Sequence, residues 1–166
     1  MANWIEDGVD YSVIGIDVGS HATGFCRNRQ GLVATKRIQP DGDLLLRSIQ
    51  LRHEIGLLLA ATGDVDLICL ENPYSIGMKA AKALAVASAF IEEAVLFAGM
   101  RDKLRLVPPS TWHKFVRDNI GVPKGQKIKK VLHQALVDSV APDISDDESD
   151  AYWLSRYAYH LVETEK

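Results

Sequence analysis

The order of its periodicities constrains this chain most. Three short β-patterned runs come first, and helical and strand-like runs then alternate to the end. YSVIGIDVG is a β-branched run stopped by Asp-Val-Gly, the pattern of a buried strand meeting a turn. ATGFCRN and GLVATKRIQ follow, with Asn28 to Gly31 between them as the turn of a hairpin. Asp43 to Ala60 then places leucine and isoleucine at helical spacing, and VDLICLE after the turn at Thr62, Gly63 and Asp64 reads as a second buried strand. Met78 to Gly99 reads as a helix and LRLVP as a last short strand. Ser110 to Asn119, Gly125 to Ser139 and Asp146 to Glu163 read as helices. That order predicts an α/β fold, a mixed five-stranded sheet flanked by helices, in one domain spanning residues 1–166.

Composition narrows the class. Hydrophobic residues make up 47% and charged residues 25%, as in soluble globular proteins. The start MANWIEDGVDYS has no basic segment leading into an apolar run, so no secretory signal is expected. AKALAVASAFIEEAVLFAG carries two glutamates and reads as a buried helix, so no membrane is expected. Cys26 and Cys69 stand far apart in apolar surroundings, which fits two reduced core thiols in a cytoplasmic protein. The net charge of −3 is unevenly spread: Lys114, Arg117, Lys124, Lys127, Lys129 and Lys130 face a lone acid, Asp118, between His113 and His133. An acidic run from Asp143 to Asp150 follows. Two solvated faces would produce that pattern; so would a polyanion site beside a cation site.

The acidic run is the sharper clue. Ser145 followed by Glu148 is a capping box, and Asp146, Asp147 and Glu148 suit the first turn of a helix. Helix capping does not account for angular position. At ~100° per residue, Ala151, Leu154, Ala158 and Leu161 share one stripe; Asp147 falls in its middle and Asp150 lies roughly 60° to the side. Asp146 and Glu148 point away. A carboxylate on an apolar face must become neutral or find a positive partner, an arginine or a metal. Two further acids sit at the ends of apolar strands, Asp17 in VIGIDVGS and Glu71 in DLICLENP, at the sheet rim where α/β folds bind ligands. If Asp17, Glu71, Asp147 and Asp150 meet, the site is all oxygen. Such a site suits Mg²⁺, with Mn²⁺ as a substitute, and two ions suit phosphodiester hydrolysis.

These segments resemble the RuvC-type Holliday junction resolvases. GIDVGSHATGFC is similar to the family's first motif, LICLENPYS to the strand carrying its glutamate, and DESDAYWLS to its closing pair of acids. VPPSTWHKF and GVPKGQK resemble its run of proline, lysine and glycine. The resemblance implies an RNase H-like fold and a homodimer. It also implies Mg²⁺-dependent endonuclease cleavage of Holliday junctions, with flaps and forks as further branched DNA substrates. Asp17, Glu71, Asp147 and Asp150 then take the catalytic, metal-binding positions. Lys114 matches a DNA-contacting lysine, Lys127 or Lys124 a second (Lys127 preferred), and Tyr74 an aromatic that probes bases at the junction. Val18 stands where the family has proline, and the spacing from Gly121 to Lys127 differs. Small members of this kind occur in bacteriophages, which places the chain in a bacterial or phage-infected cytoplasm. The nearest rival is a YqgF-type RNase H-like nuclease acting on structured RNA, which shares the GID-G-S/T start. AAKALAVASAFIEEAVLFAG, rich in small residues, is either the dimer interface or plain core. Trp112 and Trp153 read as packing residues.

Overall fold

The computed structural model describes residues 11–72, 78–122, 126–139 and 142–165. Three strands open the described chain: β1 (Ser12–Val18), β2 (Thr23–Arg29) and β3 (Leu32–Ile38). They form an antiparallel meander. Gln30 and Gly31 make the tight turn between β2 and β3, both at positive φ (54° and 78°), the geometry that matches hairpin twist. Helix α1 (Leu44–Thr62) starts at Asp43, whose side chain accepts from the Leu46 amide at 2.9 Å. Then come β4 (Leu67–Glu71), α2 (Met78–Phe97), β5 (Leu104–Val107), α3 (Pro109–Ile120), α4 (Ile128–Ser139) and α5 (Asp146–Thr164). The sheet order is β3-β2-β1-β4-β5, with β4 and β5 parallel to β1 and to each other. This is the mixed five-stranded sheet that the order of periodicities predicts, and the expected elements are found with ends shifted by up to three residues.

Strand alternation sorts the core into two layers. Ile14, Ile16, Ile68 and Leu70 face α1 and α2, against Leu51, Ile55, Leu59, Ile91 and Val95. Val13, Leu67 and Cys69 face the other way, against Trp112, Val116, Leu132, Leu154 and Ala158 of α3, α4 and α5. Each fully buried aliphatic contributes ~1.5–3 kcal/mol. The same alternation fixes the acids. Asp17 continues the series Val13, Gly15, and Glu71 continues Leu67, Cys69, so both carboxylates point to the α5 side of the sheet.

Helix α5 crosses that face over β1, β2 and β4. It lies on the backbone itself because Gly15 and Gly24 leave room. A Cβ at Gly15 would sit 2.2 Å from the Ala151 carbonyl oxygen, and one at Gly24 would sit 1.8 Å from that of Asp147. Among the described residues no helix is long and apolar enough to cross a membrane. Cys26 and Cys69 are free and buried, as core thiols were expected to be.

Candidate active site

Two parallel neighbours, β1 and β4, end on carboxylates. Their pairing runs to Ile16 opposite Leu70, so Asp17 and Glu71 follow side by side, about 4.8 Å apart across the sheet. The first turns of α5 bring Asp147 and Asp150 over this point. The capping box forms as expected: Ser145 Oγ accepts from the Glu148 amide, and the Glu148 carboxylate accepts from the Ser145 amide at 3.1 Å. Asp146 is exposed and lies 3.2 Å from His133 Nδ1 of α4.

The helix sits differently on the sheet than its stripe predicts. Asp150 is the buried acid, its side chain 5% exposed, while Asp147 keeps 27%. The contact of Gly24 with the Asp147 backbone turns that residue's carbonyl, not its side chain, onto the sheet. Buried Ser149 and Ser155 show the contact face rotated away from Asp147.

The electrostatics follow from crowding. Burial raises the Asp17 carboxyl well above the usual carboxylate range, and the charges of Glu71 and Asp150 push it further. Burial also raises Glu71, against the opposing pull of a hydrogen bond from Trp112 and the charge of Lys129. Asp150 is raised by burial, with Lys129 opposing. Lys129 Nζ donates to Asp150 Oδ2. Burial lowers the lysine's pKa, but Asp150, Asp17 and Glu71 together carry it above its ordinary value. Arg37 of β3 donates through Nε to Asp147 Oδ2 at 2.8 Å. His113, beside Trp112, is pulled down to about 4 by burial and by Lys129 and Arg117, so its imidazole is neutral at pH 7.

A carboxyl with a raised folded pKa binds its proton more tightly folded than unfolded. Its contribution to stability is complete below the unfolded pKa and is lost as pH rises through the folded one. Asp17, Glu71 and Asp150 all have this sign. In the presence of a chelator, the denaturant midpoint should therefore fall as pH rises from the ordinary carboxylate range towards neutrality. A midpoint that climbs across that window would contradict the crowding.

Three of these contacts were not expected from the sequence. Trp112, fully buried in α3, is a packing residue as expected, but its Nε1 also donates to Glu71 Oε2 at 2.7 Å. Nothing in the sequence around Arg37 marks it, and Lys129 reads there as one charge in a basic stretch. Of the residues matched to DNA contacts, Lys114 is exposed and pairs with Asp118 at 2.7 Å within α3. Lys127 is exposed just before α4, and Tyr74 and Lys124 lie outside the described residues. Trp153, the other packing candidate, donates to the Leu132 carbonyl oxygen at 3.3 Å.

The donor set suits a hard divalent cation: all oxygen, partly buried, and mutually repelling. As the side chains stand, no three acids or histidines among the described residues are close enough to hold one ion. Two of the four acids are engaged instead by Arg37 and Lys129.

Comparison with protein-family models and with curated proteins gives no match. Solved structures do match. RuvC of T. thermophilus in complex with a Holliday junction substrate superposes with a TM-score of 0.69 at 14% identity, covering 93% of this chain and 97% of that one. A second Thermus thermophilus RuvC structure gives 0.67 at 15% identity, covering 92% and 97%. The yeast mitochondrial Holliday junction resolvase Ydc2 gives 0.59 at 16%, covering 96% and 86%. At these identities the likeness is one of fold, and it extends over nearly the whole chain.

Proposed function

We propose that this chain is a structure-selective endonuclease that cleaves Holliday junctions, and by extension other branched DNA, using divalent ions. The observation that carries the reading is the placement of Asp17 and Glu71 at adjacent strand ends under Asp150, on the face that α5 covers. Nothing in the packing of the sheet requires a buried acid beside a half-buried one there, and their mutual repulsion costs stability in the absence of a cation. The fold shared with RuvC and with the yeast resolvase supports the same reading.

In this reading Asp17, Glu71, Asp147 and Asp150 hold Mg²⁺, with Mn²⁺ able to substitute. Bound there, the ions supply an activated water for in-line attack on phosphorus and neutralise the departing oxygen. The chain's own residues do the rest. Burial of Asp17 and Asp150 fixes their carboxylates between sheet and helix. The Trp112 indole fixes the rotamer of Glu71. Lys114, Lys127 and Lys124 neutralise backbone phosphates without reading sequence, so binding should weaken steeply with salt. Tyr74 stacks on an unpaired base, favouring an open junction over intact duplex. The chain acts as one domain and as a homodimer in the cytoplasm of a bacterium or phage-infected cell. Exposed Leu96 and Phe97 of α2 are suited to cover a second copy.

The test is a labelled four-way junction incubated with the protein and Mg²⁺. Paired, symmetric nicks are expected. Cleavage of structured RNA in preference to the junction would transfer the reading to an RNA-processing nuclease, and no cleavage of either would remove it.

Trp112→Phe separates packing from positioning. The variant keeps an aromatic ring in the core, smaller than the indole it replaces, and loses the N–H that holds Glu71. Outer partners of metal ligands typically contribute ~10–100-fold in affinity. Titration calorimetry with Mn²⁺ should show a loss near the lower end, about tenfold, with folding retained. Unchanged affinity would reduce Trp112 to packing.

A further inference from the structure

The two acids of α5 are each held by a base from a different part of the chain. Arg37, on β3, reaches Asp147 through Nε and is itself steadied by Gln39, whose Oε1 accepts from Nη1 at 2.9 Å. Lys129, on α4, reaches Asp150. In both pairs the base is the more exposed partner: 44% against 27% for Arg37 and Asp147, and 59% against 5% for Lys129 and Asp150. The acids are fixed by the helix and the sheet, whereas the bases sit on long side chains with water to return to. Lys129 is also close enough to act electrostatically on Asp17 and Glu71, so a single ammonium is shared among three carboxylates.

We propose that Arg37 and Lys129 are resident counter-ions of the carboxylate cluster, a latch that a divalent ion must displace to bind. This rests on the ion-binding reading of the four acids. It accounts for two facts together: the acids are gathered at one place, yet no three of them are positioned to share an ion. With the pairs closed, Oδ2 of Asp147 and Oδ2 of Asp150 are each occupied by a base. The latch offsets part of the cluster's repulsion before an ion arrives, and each base lowers the affinity for that ion. Displacement also has a direction. Lys129 stands between exposed Lys127 and Lys130 in the chain, so the freed ammonium adds to the basic stretch proposed to meet phosphate. A polyanion that draws Lys129 away then tightens ion binding, and the ion tightens polyanion binding by the same factor.

The experiment is Mn²⁺ titration calorimetry, without DNA, on wild type, Lys129→Gln, Lys129→Arg and Arg37→Gln. Removing a competitor should tighten Mn²⁺ binding about fivefold or more in Lys129→Gln and Arg37→Gln, with Lys129→Arg close to wild type. A purely structural role predicts the opposite, weaker binding through a loosened site. Weaker or unchanged affinity in both Gln variants, with wild type binding Mn²⁺, overturns the latch and leaves the ion site standing. Absence of Mn²⁺ binding in wild type and variants alike removes both. Should Lys129→Gln fail to fold because Asp150 is left buried and unpaired, Arg37→Gln carries the same decision from an exposed position on the edge strand.

Discussion

Asp17→Asn should lower junction nicking by more than about a hundredfold, leave junction binding in place, and make the protein more stable without divalent ions. The first effect follows from position. Outer partners of metal ligands already contribute up to ~100-fold, and Asp17 is proposed as a direct ligand at the centre of the four acids. The second follows from its burial, since a residue 7% exposed offers DNA almost no surface. The third discriminates best. A carboxylate raised by burial and by Glu71 and Asp150 destabilises the folded state once it ionises, and an amide of the same shape does not ionise. The stability gain should therefore vanish below the ordinary carboxylate range and grow towards neutral pH. Single-turnover nicking, a gel shift in chelator, and denaturant midpoints at several pH values measure the three effects. Equal nicking by both proteins would show that the site lies elsewhere, and a variant less stable than wild type at neutral pH would show that Asp17 has a structural partner.

The parts of this site that were legible from sequence are those encoded locally. YSVIGIDVG announces a strand, and period-2 alternation then puts Asp17 on the face of Val13 without any knowledge of the partner helix. Ser145 and Glu148 announce the start of α5 in the same way, and Gly31 announces the hairpin. The contacts that the sequence concealed all depend on how elements are stacked. Arg37 meets Asp147, 110 residues away, because β3 pairs with β2 so that Arg37 stands opposite Gly24, and Gly24 is where α5 touches down. Trp112 meets Glu71 because β5 lies beside β4 and delivers α3 next to it. Burial reverses the expected order of Asp147 and Asp150 for the same reason. A helical stripe gives the angle of a side chain about its own axis, and the depth of each turn is set by the surface beneath.

That surface supplies the last prediction. Gly24→Ala should remove about 3 kcal/mol of stability or more and most of the nicking activity, and Gly15→Ala should do likewise. The added Cβ at Gly24 would lie 1.8 Å from the Asp147 carbonyl oxygen and 2.4 Å from its carbon; at Gly15 it would lie 2.2 Å from the Ala151 oxygen and 2.5 Å from the Ser155 nitrogen. All of these are backbone atoms, so no rotamer change relieves the overlap. Restoring an ordinary contact of 3.4 Å at Gly24 means lifting the start of α5 by roughly 1.6 Å. Overpacking of this kind costs ~1–3 kcal/mol and occasionally more, and the rigidity of both partners places Gly24 at the upper end. Because the part that must lift carries Asp147 and Asp150, function suffers beyond the loss of stability. A displacement of about 1 Å at a reacting centre is worth ~100-fold. Gly56 of α1 is the matched control, since a Cβ there meets nothing within 4 Å and alanine favours the helix by ~0.8–1 kcal/mol. Denaturant midpoints should therefore move in opposite directions for Gly56→Ala and Gly24→Ala, with nicking retained in the first and lost in the second. Equal, small shifts in both would mean that α5 does not rest on the strand at Gly24, and the acids would then have no fixed platform from which to meet.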